Sequence, residues 1–170
     1  MKKALLSLAA LIFALSILLC GCGTPKDDRT PSESAYHYDH IFIELPEGFS
    51  VKEESGIFIA APENDDSGDN IVFTCGGRDN FSAYTEKTMT DIYREKFTGF
   101  GEVLSFEKTK IGNHNAIRFV YTVKTSGMEM TQKQIIIFGD AYTDIVTFTV
   151  LSGDYESAFA QAESSIIVKD

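Results

Sequence analysis

Apolar and polar residues alternate over most of the chain beyond residue 36, and the breaks in that alternation mark the turns. The folded part is expected to start near 36–41. Ile41, Ile43 and Leu45 alternate into Pro46-Glu47-Gly48, which predicts a strand and a turn. Residues 57–60 read as a short strand ahead of Pro62, and Ile71, Phe73 and Cys75 alternate against Val72 and Thr74 until Gly76-Gly77. Asn80 then heads a segment in which Phe81, Tyr84, Met89, Ile92, Tyr93 and Phe97 recur at helical spacing, so a helix capped by Asn80 and closed by Gly99 and Gly101 is predicted. Residues 103–111 return as a strand, Gly112-Asn113-His114-Asn115 reads as a hairpin turn, and Ile117, Phe119, Tyr121 and Val123 give the cleanest alternation in the chain. Two long strands follow at 128–138 and 142–151, joined at Gly139-Asp140. Asp154 is read as the cap of a last helix that carries Tyr155, Ala158, Phe159, Ala162 and Ile166 on one stripe, with Glu156 in its first turn.

This order predicts a single α+β domain, with an antiparallel sheet of six to seven strands and two main helices able to cover one face. The opposite face is not fully polar, because Val72, Val120, Ile135 and Ile137 are assigned to it, so a further cover is expected there.

The first residues follow a different pattern. Lys2 and Lys3 precede an uncharged run from 4 to 19, rich in Leu, Ala and Ile. A signal-peptide core of ~7–15 apolar residues fits it better than a membrane span of about 20. The run ends in Leu19-Cys20-Gly21-Cys22, which resembles the lipobox of bacterial lipoproteins. Cleavage before Cys20 would leave the large Leu19 at the cut, whereas cleavage before Cys22 leaves Gly21 there, so Cys22 is the lipidation residue and 1–21 the signal peptide. The resemblance implies a diacylglyceryl thioether on Cys22 and, with more than one acyl chain, firm anchoring at ~0.8 kcal/mol per buried CH₂. Gly23 to Ser34 reads GTPKDDRTPSES, without an apolar period, so 22–38 are expected to be a lipidated N-terminus and flexible tether, and 39–170 the folded domain.

Charge and cysteine content narrow the partners. The chain of 170 residues carries a formal charge of −10. Loss of 1–21 removes two lysines, leaving 13 basic against 25 acidic residues, or −12. Nucleic acid is excluded as a partner by this balance, and repulsion keeps the domain off an anionic lipid surface. With Cys20 removed and Cys22 acylated, Cys75 has no disulfide partner.

Candidate chemistry is sparse. His114 is expected in a solvated turn, and His37 and His40, three apart in an extended segment, point to opposite faces and cannot share a ligand. No nucleophile elbow or phosphate loop occurs, so no catalytic residue, cofactor or enzymatic activity is expected. Cys75 shares parity with Ile71 and Phe73 and is expected to be a buried, inert thiol. Asp65, Ser67 and Asp69 are spaced like the opening ligands of a calcium loop, but Asn70 and Gly76 occupy the positions needing Gly and Glu, so Asp65 and Asp69 are only weak calcium candidates in a solvated loop.

Taken together, PEGF at 46–49 after the first strand, Asn70-Ile71-Val72 opening a strand after an acidic loop, Ala116-Ile117-Arg118-Phe119 before Tyr121, Gln132 and Gln134, and a last helix running into Ser165-Ile166-Ile167 resemble the PsbP-like superfamily, which includes DcrB-type bacterial lipoproteins and a Ran-GTPase-binding factor. The resemblance implies an α/β/α sandwich and binding or assembly rather than catalysis. The expected function is a non-catalytic interaction or assembly module, lipid-anchored on the extracytoplasmic face of a cell-envelope membrane and meeting another envelope protein. The alternative is a small-ligand or ion-binding lipoprotein serving a transporter or sensor, with a pocket among Tyr84, Tyr93, Tyr121 and Tyr142.

Overall fold

A computed structural model describes residues 27–64 and 67–169. The lipobox and Asp65 lie outside the described residues. The chain builds β1 (Tyr36–Tyr38), β2 (Ile41–Ile43), β3 (Phe49–Glu54), β4 (Ile57–Pro62), β5 (Asn70–Gly77), α1 (Glu86–Lys96), β6 (Phe100–Ile111), β7 (His114–Thr125), β8 (Met128–Phe138), β9 (Tyr142–Val150), α2 (Glu156–Ser165) and β10 (Ile167–Val168). Seven strands form an antiparallel sheet in the order β3-β4-β5-β9-β8-β7-β6, and a three-stranded sheet has the order β1-β2-β10.

The expected α+β sandwich is present, but the two helices sit on opposite faces of the large sheet instead of sharing one. The cause is visible in β8, where Ile135, Ile136, Ile137 and Phe138 are all buried. A strand apolar on both faces needs a cover on both. On one side Met89 and Tyr93 of α1 pack on Ile117, Phe119, Tyr121, Ile136 and Phe138. On the other, Phe159 and Ala162 of α2 join Ile41 and Ile43 of the small sheet over Ile71, Phe73, Val146 and Phe148. Each fully buried side chain of this size contributes about 1.5–3 kcal/mol. Val120, Ile135 and Ile137 face the α2 side as one group. Val72 pairs with Thr147 and points to the other side.

Local chemistry explains where the elements differ from the alternation. The single first strand is broken into β1 and β2 by a two-residue turn, Asp39-His40, with Asp39 at φ +49. Strand β3, hidden by its charged end Lys52-Glu53-Glu54, pairs with β4 through Ser55-Gly56, both at positive φ. The segment after Asn80 begins with a short 3-10 turn at Phe81–Ala83, capped by the Asn80 side chain accepting from Ser82 N. The helix proper is capped by Thr85, whose hydroxyl and backbone exchange hydrogen bonds with Thr88. Tyr155, not Asp154, occupies the cap of α2, and its side chain makes no capping hydrogen bond.

The segment expected to be a tether is fixed to the body from residue 27 onward. Lys169 Nζ donates to the carbonyls of Asp27 (2.9 Å) and Arg29 (2.8 Å), and an Arg29 guanidinium nitrogen donates to the Ile166 carbonyl at 2.8 Å. Ser32 and Ser34 both donate to the Glu44 carboxylate. Hydrogen bonds to the residues flanking β10 and to Glu44, invisible in local composition, hold this stretch.

Candidate functional site

Pairing of β5 with β9 places Cys75 opposite Asp144. Asp144 has the same parity as Val146 and Phe148, so a carboxylate stands where the strand otherwise presents core. The Asp39-His40 turn folds over this point and is held by a hydrogen bond from Lys169 N to the His40 carbonyl at 3.0 Å. The His40 ring lies flat on Tyr142, with centroids 3.5 Å apart and planes at 1°. His40 Nδ1 is 3.3 Å from an Asp144 oxygen and 3.4 Å from an Asp39 oxygen. One ligating atom each from Asp39, His40, Cys75 and Asp144 falls within 4.8 Å of the others. Asp144 is wholly buried, His40 half-buried, and Asp39 and Cys75 exposed.

The electrostatics of the group are those of crowded anions. Burial raises the Asp144 carboxyl above its ordinary value and Asp39 adds to this, while Cys75 and His40 oppose it. Cys75 is exposed rather than buried, and the side chain brought near its sulfur from the Asp39-His40 turn is the exposed Asp39 carboxylate, not an apolar group. Its thiol is nevertheless pushed far up, by the surrounding protein first and then by the Asp39 and Asp144 carboxylates. The protein around the thiol, the cause the parity points to, thus acts together with two carboxylates that the parity does not reveal. In a chain with Cys20 and Cys22 replaced by Ser, Cys75 should react with a disulfide reagent at neutral pH at least about tenfold more slowly when folded than when unfolded, since the thiolate is the nucleophile. Equal rates would contradict a thiol held above its ordinary value.

The other sequence candidates disperse. His37 stacks on Phe42 at 4.2 Å, away from the cluster. His114 is buried, opening β7 opposite Ile111, because the hairpin turn is only Gly112-Asn113 and the histidine already belongs to the strand. Asp69 is not a solvated loop residue either, being 1% exposed. One of its oxygens accepts from Leu151 N at 2.9 Å, and the other from Ser152 N at 3.3 Å and Ser152 Oγ at 2.5 Å. Burial alone would raise this carboxyl, but the Ser152 and Leu151 bonds outweigh it and hold it below its ordinary value. Asp69 clasps the loop after β9 to the start of β5.

The four tyrosines do not share a pocket. Tyr84 and Tyr93 line an apolar pocket of ≈ 280 Å³ between α1 and the sheet, with Met89, Ile92, Ile136 and Ile145. Tyr121 is in the core, its hydroxyl donating to Gln132 at 2.7 Å, and Tyr142 lies under His40. A more open polar cleft of ≈ 540 Å³ lies between Arg78–Ser82 and Asn115, Gly139 and Asp140.

No family model and no curated protein matches the sequence. Solved structures do match the fold. Cyanobacterial PsbP (CyanoP) from Synechocystis sp. PCC 6803 superposes with a TM-score of 0.64 at 12% identity, over 89% of this chain and 99% of that chain. LpqN of Mycobacterium tuberculosis, described as involved in cell envelope biogenesis, superposes with a TM-score of 0.54 at 12% identity, over 76% of this chain and 83% of that chain. The fold is therefore PsbP-like. Among the described residues no helix is long and apolar enough to cross a membrane.

Proposed function

We propose that this chain is an envelope lipoprotein, anchored through Cys22 on the extracytoplasmic face of a membrane, whose PsbP-like domain serves as a non-catalytic module for protein interaction or assembly. Two sequence features and the fold support the reading: the signal-like N-terminus, the lipobox, and a likeness in fold to CyanoP and to LpqN, the latter described as involved in cell envelope biogenesis. The observation that carries it is the ordered path from residue 27. Cys22 and Asp27 are five positions apart, and five extended residues reach at most roughly 18 Å. A domain fixed at Asp27 is therefore held close to the lipid, not at the end of a long tether. A partner in the same membrane meets it at high effective concentration, so weak contacts suffice.

Cys22→Ala is expected to move the protein from the membrane to the soluble fraction and to abolish its crosslinks to membrane partners, while wild type gives defined crosslinked species from native membranes. Wild-type protein recovered only as itself, or membrane retention unchanged in the variant, would overturn the reading. Globomycin, an inhibitor of lipoprotein signal peptidase, should likewise leave the precursor uncut.

A second reading, a small-ligand or ion-binding lipoprotein serving a transporter or sensor, is favoured by the pocket under α1 and by the Asp39-His40-Cys75-Asp144 cluster. The pocket's ≈ 280 Å³ is just under the usual lower size for a small-molecule site, about 300 Å³.

A further inference from the structure

We propose that Asp39, His40, Cys75 and Asp144 form a binding site for a divalent transition-metal cation of the zinc class. Such a site rests on the geometry of these four residues and is independent of whether the domain meets a protein partner.

The spacing of the donors fits an ion. A tetrahedral ion with bonds of about 2.0–2.3 Å separates its ligand atoms by roughly 3.3–3.8 Å. His40 Nδ1 already stands 3.3 and 3.4 Å from the two carboxylates, and all four donors lie within 4.8 Å of one another. Only small side-chain movements are needed to close the set.

These atoms also lack other partners. Both Asp144 oxygens and His40 Nδ1 are buried without a hydrogen-bond partner of normal geometry. That is costly for a carboxylate. The other buried carboxylates among the described residues, Asp69 and Glu163, are held by hydrogen-bond donors. Asp69 accepts three hydrogen bonds, and Glu163 accepts from Arg118 and Lys133. Asp144 alone among these three points its oxygens at an imidazole and a thiol.

The donor set selects the ion. One sulfur, one imidazole nitrogen and two carboxylate oxygens suit a borderline cation, whereas calcium and magnesium take six or more oxygens. Two carboxylates and a thiol with one histidine make a concentration of negative charge that a dication neutralises, the thiol proton leaving to solvent on binding. The scaffold is also set in advance. Tyr142 fixes the plane of the His40 ring, and strand pairing fixes Cys75 against Asp144.

The test uses the full chain in detergent with Cys20 and Cys22 replaced by Ser, so that Cys75 is the only thiol, and Co²⁺ as a spectroscopic probe followed by Zn²⁺. One equivalent of Co²⁺ is expected to give the strong visible absorption of a tetrahedral ion and a near-ultraviolet thiolate charge-transfer band, both lost when Zn²⁺ displaces it. C75S should remove the charge-transfer band, and H40Q and D144N should each weaken binding by at least about tenfold, no less than loss of a supporting residue costs elsewhere. If D144N does not fold, C75S and H40Q, nearer the surface, decide the matter by the same spectra. Absence of binding, binding without a charge-transfer band, or equal binding by C75S and H40Q would overturn the site.

Discussion

Phe73→Ala should destabilise the domain by about 3–5 kcal/mol, at the upper end of what a single side-chain truncation costs. The Phe73 side chain is wholly buried, and its ring lies 5.2 Å from Tyr36 and 5.6 Å from Tyr38. Those tyrosines belong to β1, so the ring couples the small sheet to the centre of the large one. Removing it opens a cavity at the junction of the two layers, which a close-packed interior cannot fill. Denaturant unfolding should show a lower midpoint with an unchanged slope. Leu104→Ala, on the edge strand β6 and 50% exposed, should by contrast cost less than about 1 kcal/mol. Similar losses in the two variants would mean that the layers are not joined through Phe73.

Glu163→Ala should cost about 1.5–3 kcal/mol, the range for hydrogen bonds to charged groups. Glu163 sits on the inner side of α2, 10% exposed by side chain, and accepts from Arg118 Nε at 2.5 Å on β7 and Lys133 Nζ at 2.8 Å on β8. The lower part of that range is expected, because Arg118 and Lys133 are 35% and 32% exposed and water screens them once the partner is gone. The same network sets an acid limit. Burial alone would raise the Glu163 carboxyl, but the hydrogen bonds from Lys133 and Arg118 outweigh it and hold it below its ordinary value of 4.5. Unfolding therefore takes up a proton as the pH falls below that ordinary value. The stabilisation is complete above pH 4.5 and disappears as the pH drops through the lowered folded-state value. Unfolding free energy measured against pH should show this acid fall in wild type and a shallower one in Glu163→Gln. Parallel curves would remove Glu163 from the acid response.

Alternation is a dependable guide wherever one face of a strand is buried, as at Ile117, Phe119 and Tyr121 of β7. It misleads where both faces are buried. The run Ile135 to Phe138 has no period, and so the sequence does not reveal that each helix takes its own face. Cys75 shows the limit of parity. Its side of the sheet is legible, but the layer above it ends at the Asp39-His40 turn, and where a covering layer stops is a tertiary fact. The cluster itself escapes sequence reasoning because its members are far apart, at 39, 40, 75 and 144, and come together only through the β5–β9 register. One signal is present: Asp144 occupies a core-parity position among Tyr142, Val146 and Phe148, and a charge there asks for a partner. The ordered stretch from Asp27 is illegible for a related reason. Asp27, Arg29, Ser32 and Ser34 are held by Lys169, the Ile166 carbonyl and Glu44, none of them adjacent in sequence.

Delivery through Cys22 is the central claim, and intact-mass measurement of the protein extracted from its native membrane tests it most directly. The expected result is a chain that begins at Cys22, lacks residues 1–21, and carries the added mass of a diacylglyceryl group on that cysteine, with or without a further acyl chain. A chain that keeps residues 1–21, or one that starts elsewhere without lipid, would contradict it.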